Sequence, residues 1–239
     1  MKLYLLHLGA MIANDAPIPG YLVRLEDGTN VLIDTGYRPG TFGEDTHPER
    51  AAFRVRDEER VVARLAQLGL RPEDIHYVVC SHFDPDHAGY TDAFPRAALV
   101  VQRAALAAAA RASADPRFAF TRRAWDLPDE RYHLVEGDTI LLPGIELIET
   151  SGHAPGHQAV LLRLPETGSV LLPIDALAPA DERDPEARLP SPFDLDAEGA
   201  RASARKLVDV ARRQGVRLIV YGHDAAQWAT LTHSPAFYA

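Results

Sequence analysis

Four side chains that can bind a metal ion lie within six consecutive residues of this sequence: His82, Asp84, Asp86 and His87. In an extended segment, residues i and i+2 point the same way, so His82 and Asp84 can contact one ion. Asp86 and His87 follow the bend that Pro85 imposes and can turn toward a second position. Imidazole and carboxylate ligands together suit zinc, iron, manganese or cobalt. The segment therefore predicts a metal site.

The same segment also has a simpler interpretation, as the polar start of a helix whose aspartates cap it and whose histidines are exposed. Three further residues weigh against this, because each follows a predicted strand: His153, Asp175 and His223. A lone histidine beside a glycine is more often structural than a ligand. Several strand ends that carry His or Asp in one chain are better explained by a common site.

Short apolar or alternating runs predict the strands that position these residues. The predicted strands cover residues 3–8, 21–25, 31–33, 75–80, 132–135, 140–142, 145–149, 159–164, 170–174 and 216–221. Asp27-Gly28 predicts a hairpin turn between the second and third strands. Helices are predicted near residues 61–70, 104–110 and 197–213, with a further helix beginning near His87 and an irregular insertion over 112–130. This order predicts two β-layers packed together with helices outside.

The composition excludes some classes of partner. A formal net charge of −9 argues against nucleic acid, because phosphate contacts need clustered Lys and Arg. No apolar stretch approaches the ~20 residues needed to span a bilayer, so no membrane partner is expected. The single cysteine, Cys80, cannot form an intrachain disulfide, which favours a reduced cytoplasmic setting. Cys80 ends an apolar run, which favours a buried thiol over a nucleophile.

Together these motifs resemble the metallo-β-lactamase superfamily, and their order and spacing look most like the N-acyl-homoserine lactonases, the quorum-quenching branch. The resemblance is carried by Asp34-Thr35-Gly36, the 82–87 segment, Gly152-His153-Ala154-Pro155-Gly156-His157, Asp175 and Gly222-His223-Asp224. It implies an α/β fold, a four-layer αβ/βα sandwich of two mixed β-sheets flanked by helices. It also implies a single metallo-hydrolase domain over residues 1–239, with an active-site loop at 37–56.

The resemblance further implies a dinuclear metal site. Its ligand set is His82, Asp84 and His153 for the first ion, Asp86, His87 and His223 for the second, and Asp175 as the bridge between them. Two divalent ions are expected, with zinc favoured. His157 matches a recurrent position that is not a ligand, so a supporting or packing role is expected for it.

Two positions depart from the family pattern. Asp84 stands where the family has histidine, which adds negative charge and shifts the first position toward iron, manganese or cobalt. Ala178 stands where the lactonases have a tyrosine that assists the substrate carbonyl. Tyr37 and Tyr221, on neighbouring loops, are the candidates to replace that hydroxyl.

The expected activity is opening of the lactone ring of N-acyl homoserine lactones or related lactones by a hydroxide that bridges the metal ions, with Asp86 as the proton shuttle. The 37–56 loop, with Met11 and Ile12, can form a channel for an acyl chain, although core packing is the simpler role for those two side chains. The alternatives are hydrolysis of another ester, a thioester, a phosphoester or a β-lactam, and a non-catalytic metal- or ligand-binding module. A homodimer is compatible with all of these.

Overall fold

The computed structural model of the chain describes residues 1–41 and 52–239. Its strands are β1 (Lys2–Met11), β2 (Pro17–Arg24), β3 (Asn30–Ile33), β4 (Phe53–Arg54), β5 (Tyr77–Val79), β6 (Ala98–Gln102), β7 (Tyr132–Val135), β8 (Thr139–Leu142), β9 (Ile145–Glu149), β10 (Gln158–Leu164), β11 (Gly168–Ile174) and β12 (Leu218–Tyr221). Its α-helices are α1 (Val61–Gln67), α2 (Pro85–Ala88), α3 (Arg103–Arg111), α4 (Pro116–Ala119), α5 (Arg122–Trp125), α6 (Pro179–Arg183), α7 (Ala197–Arg213) and α8 (Ala225–Trp228). Residues 42–51 of the predicted active-site loop lie outside the described residues.

The strands form two mixed sheets. One has the order β4-β1-β2-β3-β5-β6-β7, and the other has the order β12-β11-β10-β9-β8. The pairs β3/β5, β5/β6, β6/β7 and β11/β12 are parallel, and the remaining pairs are antiparallel. The parallel pairs matter for function, because their strands end at one edge of each sheet and there deliver the residues that follow them.

Three apolar layers hold the sheets and helices together. Along β1, Leu3 and Leu5 pack into the layer between the two sheets, whereas Tyr4 and Leu6 pack into the layer under α1 and α3. Successive strand residues point to opposite faces, so this alternation is what a strand covered on both sides requires. A third layer lies between the second sheet and α7, with Leu207 at its centre. The order is therefore helix, sheet, sheet, helix.

The predicted fold class is confirmed, and the differences are local. The helix at Ala197–Arg213 and the strands at Tyr132–Val135 and Ile145–Glu149 have the predicted bounds. The strand Ala98–Gln102 was not predicted, because its continuous apolar run leads directly into an alanine-rich helix and has no alternation. The insertion predicted over 112–130 contains the short helices α4 and α5. Among the residues described, no helix is both long and apolar enough to cross a bilayer.

Candidate metal centre

The predicted site residues meet at the ends of strands from both sheets. Asp175 directly follows β11, and His223 lies two residues after β12. His153 lies in the loop between β9 and β10. In the first sheet, β5 leads into the 82–87 segment, and Pro85 begins α2, where its fixed φ and missing N–H suit the first helical position.

Asp175 lies at the centre of the cluster, in contact with four histidines. Its Oδ2 is 3.3 Å from Nε2 of His87, 3.3 Å from Nε2 of His153 and 3.6 Å from Nε2 of His82. Its Oδ1 is 3.3 Å from Nε2 of His223. The carboxylate of Asp175 therefore faces both groups of candidate ligands. The family resemblance implies that this residue bridges them.

Those groups lie side by side. The ligand atoms of His82, Asp84 and His153 lie within 4.8 Å of one another, and so do those of Asp86, His87 and His223. His82, His87 and Asp175 form a third such group that links the two. The geometry brings together all seven predicted residues in the predicted grouping, and their role as metal ligands stays a prediction.

Unpartnered buried atoms show that a cation suits the middle of this cluster. Nε2 of His82, Nε2 of His87 and Oδ1 of Asp175 are buried without a hydrogen-bond partner among the described residues. Buried polar atoms without partners are costly, so their convergence is the arrangement expected of ligand atoms. The alternative of an exposed helix start is wrong, because His82 and His87 are fully buried. Asp84 occupies the N-cap position of α2 but makes no side-chain capping bond.

Asp34 fixes the orientation of His87. Its Oδ2 accepts a hydrogen bond from Nδ1 of His87 at 2.9 Å, which directs the Nε2 lone pair of that ring into the cluster. Asp34 also accepts from the backbone N–H of Ser81 at 2.8 Å and from its hydroxyl at 2.7 Å. Its φ of 59° lies in the left-handed region that aspartate tolerates better than most residues. The Asp-Thr-Gly motif, one of the segments that carry the family resemblance, thus supports a candidate ligand.

The other histidines have similar partners. Nδ1 of His82 lies 2.9 Å from Oγ of Ser81, and Nδ1 of His153 lies 3.2 Å from Oδ1 of Asp194. His157 is buried, bonds through Nδ1 to the hydroxyl of Thr150 at 2.8 Å and accepts at Nε2 from the backbone N–H of Asp175 at 3.4 Å. A supporting role fits these contacts of His157. Asp194 and Ser81 were not identified from the sequence, because neither lies in a motif whose spacing suggests chemistry.

The electrostatics of the cluster favour exchange of protons for a metal ion. Burial opposes charge on His87, but the carboxylates of Asp86 and Asp175 raise its pKa well above the usual value. Burial likewise opposes ionisation of Asp175, yet the neighbouring His87 and His223 hold its pKa well below its usual range. A divalent cation bound by these residues would take over the role of the imidazolium protons, so metal binding would release protons.

The first group differs from the second because an arginine reaches it. Arg117 of α4 forms a two-pronged ion pair with Asp84, in which Nε contacts Oδ1 and Nη2 lies 2.5 Å from Oδ2. The group His82, Asp84 and His153 therefore already contains a cation and fits a metal ion less well than the group Asp86, His87 and His223. Arg117 was not identified from the sequence, since it lies in the segment predicted to be irregular.

The sequence also led to predictions for a cysteine, for two tyrosines and for Ile12. Cys80 is buried, and burial raises the pKa of its thiol, as expected for an inert strand-end cysteine. The hydroxyl of Tyr221 donates to Glu182, so it is paired outside the cluster. Tyr37 is buried with its ring against Phe53, and its proposed role stays a prediction. The prediction that Ile12 packs in the core is wrong, because this residue is 54% exposed.

A largely buried set of histidines and carboxylates at the strand ends of two mixed sheets is typical of a metallohydrolase. Residues 14–223 match the sequence pattern of the Metallo-beta-lactamase superfamily. The chain belongs to that superfamily.

Several similar proteins carry the name N-acyl homoserine lactonase or N-acyl homoserine lactone hydrolase. An N-acyl homoserine lactonase from Bacillus sp is 33% identical over 220 residues, which cover 89% of this chain and 83% of the relative. N-acyl homoserine lactonase AttM from Rhizobium johnstonii is 31% identical over 239 residues, which cover 94% of this chain and 88% of the relative. Among solved structures, an N-acyl homoserine lactone hydrolase with its product N-hexanoyl-L-homoserine bound at the catalytic metal center has a TM-score of 0.83 and 28% identity. That alignment covers 99% of this chain and 98% of the solved one.

Proposed function

We propose that this protein is a metal-dependent hydrolase that opens the lactone ring of N-acyl homoserine lactones. The observation that carries the proposal is the position of Asp175, whose carboxylate faces four histidines from both sheets, three of them buried. The similarity to N-acyl homoserine lactonases over nearly the whole chain supports the choice of substrate.

In this proposal Asp86, His87, His223 and Asp175 hold a divalent ion, for which zinc is the first candidate and iron, manganese and cobalt are alternatives. When bound, such an ion lowers the pKa of water toward neutrality and polarises a carbonyl oxygen. Asp34 keeps the lone pair of His87 directed into the centre. Metal analysis of the purified protein identifies the ion.

Asp86 is the proposed proton carrier. One carboxylate oxygen, Oδ2, faces Nε2 of His87 at 3.4 Å and Nε2 of His223 at 3.6 Å. Since a carboxylate has two oxygens, the other is available to accept a proton from the water that attacks the ring carbonyl. Asp86 would then return this proton to the ring oxygen as the C–O bond of the lactone breaks. Ring opening then yields a free hydroxyl group and a carboxylic acid, which loses its proton to solvent.

The surface beside the centre suits an acyl chain. The carbonyl of Phe193 accepts from Nη1 of Arg117 at 2.8 Å, and the backbone N–H of Leu195 donates to the carbonyl of His153 at 3.2 Å. These two apolar side chains nevertheless remain 66% and 56% exposed. Large exposed apolar side chains next to a buried polar site are typical of a binding surface for an apolar group.

The test is a substrate panel on metal-loaded protein. It contains N-butanoyl and N-decanoyl homoserine lactone, a thioester, a phosphodiester and a β-lactam, with ring opening followed by chromatography. Asp86→Asn is expected to lower kcat for the lactones by about 10²–10⁴-fold, as loss of a positioned proton carrier does. Asp126→Asn, at an exposed aspartate paired with Arg122, is the matched control and is expected to retain activity. Hydrolysis of the phosphodiester alone would exclude the lactonase proposal.

A further inference from the structure

The side chain of Arg117 is built into the centre and is not a flexible surface group. Only 16% of it is exposed, and the partner carboxylate of Asp84 is 15% exposed. Two parallel N–H···O contacts join the guanidinium and the carboxylate, which is the most specific geometry available to this pair.

Further contacts fix the guanidinium in this position. Nη1 donates to the carbonyl of Phe193 at 2.8 Å, and Nη2 lies 3.3 Å from both the carbonyl oxygen and Nε2 of His153. The backbone is held as well, because Asp115 caps α4 by accepting from the N–H of Arg117 at 2.9 Å. The hydroxyl of Thr121 donates to the carbonyl of Phe83 at 2.8 Å, which ties this segment to the 82–87 segment.

Arg117 occupies the donor atoms that a first metal ion needs. Oδ2 of Asp84 faces Nε2 of His82 at 3.4 Å and Nε2 of His153 at 3.3 Å, and the same oxygen is 2.5 Å from Nη2 of Arg117. Nε2 of His153 is also in contact with Nη2. A divalent ion among these atoms would lie beside a positive guanidinium in a poorly solvated place, where like charges repel strongly.

The second group has no such competitor. Within the described ranges 1–41 and 52–239, the carboxylate of Asp86 pairs only with His87 and His223, and that of Asp175 pairs only with histidines. Asp84 adds a negative charge to the first group, and Arg117 supplies the positive charge that balances it.

We propose that this chain binds a single divalent ion, at Asp86, His87, His223 and Asp175, and that the guanidinium of Arg117 takes the place of a second ion at His82, Asp84 and His153. Asp84 and Arg117 then act as a pair, and Asp84 holds a guanidinium instead of a metal ion. The inference rests on the metal-dependent part of the proposed function, but its test needs no substrate.

The test counts metal ions. The purified protein is stripped, titrated with Zn²⁺, passed through a desalting column and analysed by inductively coupled plasma mass spectrometry. Wild-type protein is expected to retain one equivalent, as is the matched control Arg122→Gln, which changes an exposed arginine of the next helix. Arg117→Gln is expected to retain up to two equivalents. The double variant Asp84→His with Arg117→Gln, which exchanges the ion pair for a neutral ligand, is expected to retain two.

Two results would overturn the inference: two tightly held equivalents in the wild-type protein, or one equivalent in a double variant whose circular dichroism spectrum matches that of wild type. The number of zinc equivalents retained by the wild-type protein tests the inference even if a variant fails to fold. One equivalent without lactone turnover would leave the inference standing and contradict the proposed substrate. No bound metal at all would contradict both.

Discussion

Asp34 binds no substrate in our proposal, yet it orients one of the candidate metal ligands, His87. It accepts three hydrogen bonds, one from His87 and two from Ser81, and so aligns the start of the 82–87 segment with β3. Removal of a hydrogen-bond partner of a metal ligand typically lowers the metal affinity about 10–100-fold.

Asp34→Asn is therefore expected to weaken metal binding by about 10–100-fold while the fold is kept. Asparagine tolerates the left-handed backbone of this position but presents an amide where His87 needs an acceptor. Competition against a chromophoric chelator measures the affinity. Asp27→Asn, in the exposed turn between β2 and β3, is the control, and equal affinities of the two variants would contradict the role assigned to Asp34.

At the scale of elements, the loop that carries His153 is held against the start of α7. The N–H of Asp196 donates to the carbonyl of Gly152 at 2.8 Å, and the hydroxyl of Ser203 donates to the carbonyl of Ser151 at 2.6 Å. The close approach requires glycine at position 152, because a Cβ there would lie 2.0 Å from the backbone nitrogen of Ala200. Loop and helix therefore pack backbone against backbone.

Gly152→Ala is expected to lower the free energy of unfolding by about 3 kcal/mol or more, since it combines a positive φ with an overpacked contact. Gly28→Ala is the matched variant. Gly28 also has a positive φ, of 91°, but an added Cβ there meets nothing within 4 Å. Its expected cost is about 1–2 kcal/mol, from backbone conformation alone. Urea denaturation of both variants separates the two contributions, and equal losses would mean that the loop moves freely away from α7.

At the scale of the whole molecule, the candidate metal centre draws residues from both sheets. Asp86 and His87 follow a strand of the first sheet, whereas Asp175 and His223 follow strands of the second. An ion bound by all four can exist only when both sheets are packed together, so binding is linked to global unfolding.

Removal of the metal is expected to lower the melting temperature. At free zinc 100-fold above Kd, a single site adds about 2.7 kcal/mol, which corresponds to about 5–10 °C for a chain of this size. Thermal melts in excess chelator, and in chelator already saturated with zinc as the control, measure the difference. An unchanged melting temperature would contradict a site shared by the two sheets.

The candidate ligands could be predicted from the sequence because each follows a recognisable strand, and strand ends meet when two sheets pack. Arg117 could not, because its position depends on how an irregular segment with two short helices folds back over the 82–87 segment. Neither the spacing of Arg117 nor its neighbours in the sequence point to Asp84. Asp34 lies in a motif that carries the family resemblance, but its contact with His87 spans 53 positions and has no local pattern.

The guanidinium of Arg117 has one consequence for the setting in which the protein works. A cation that belongs to the polypeptide cannot be lost by dilution, stripped by a chelator or exchanged for a competing metal. A centre with one such charge needs half the metal supply of a dinuclear one. The chain is then expected to tolerate scarcity of metal that would leave a dinuclear centre incomplete.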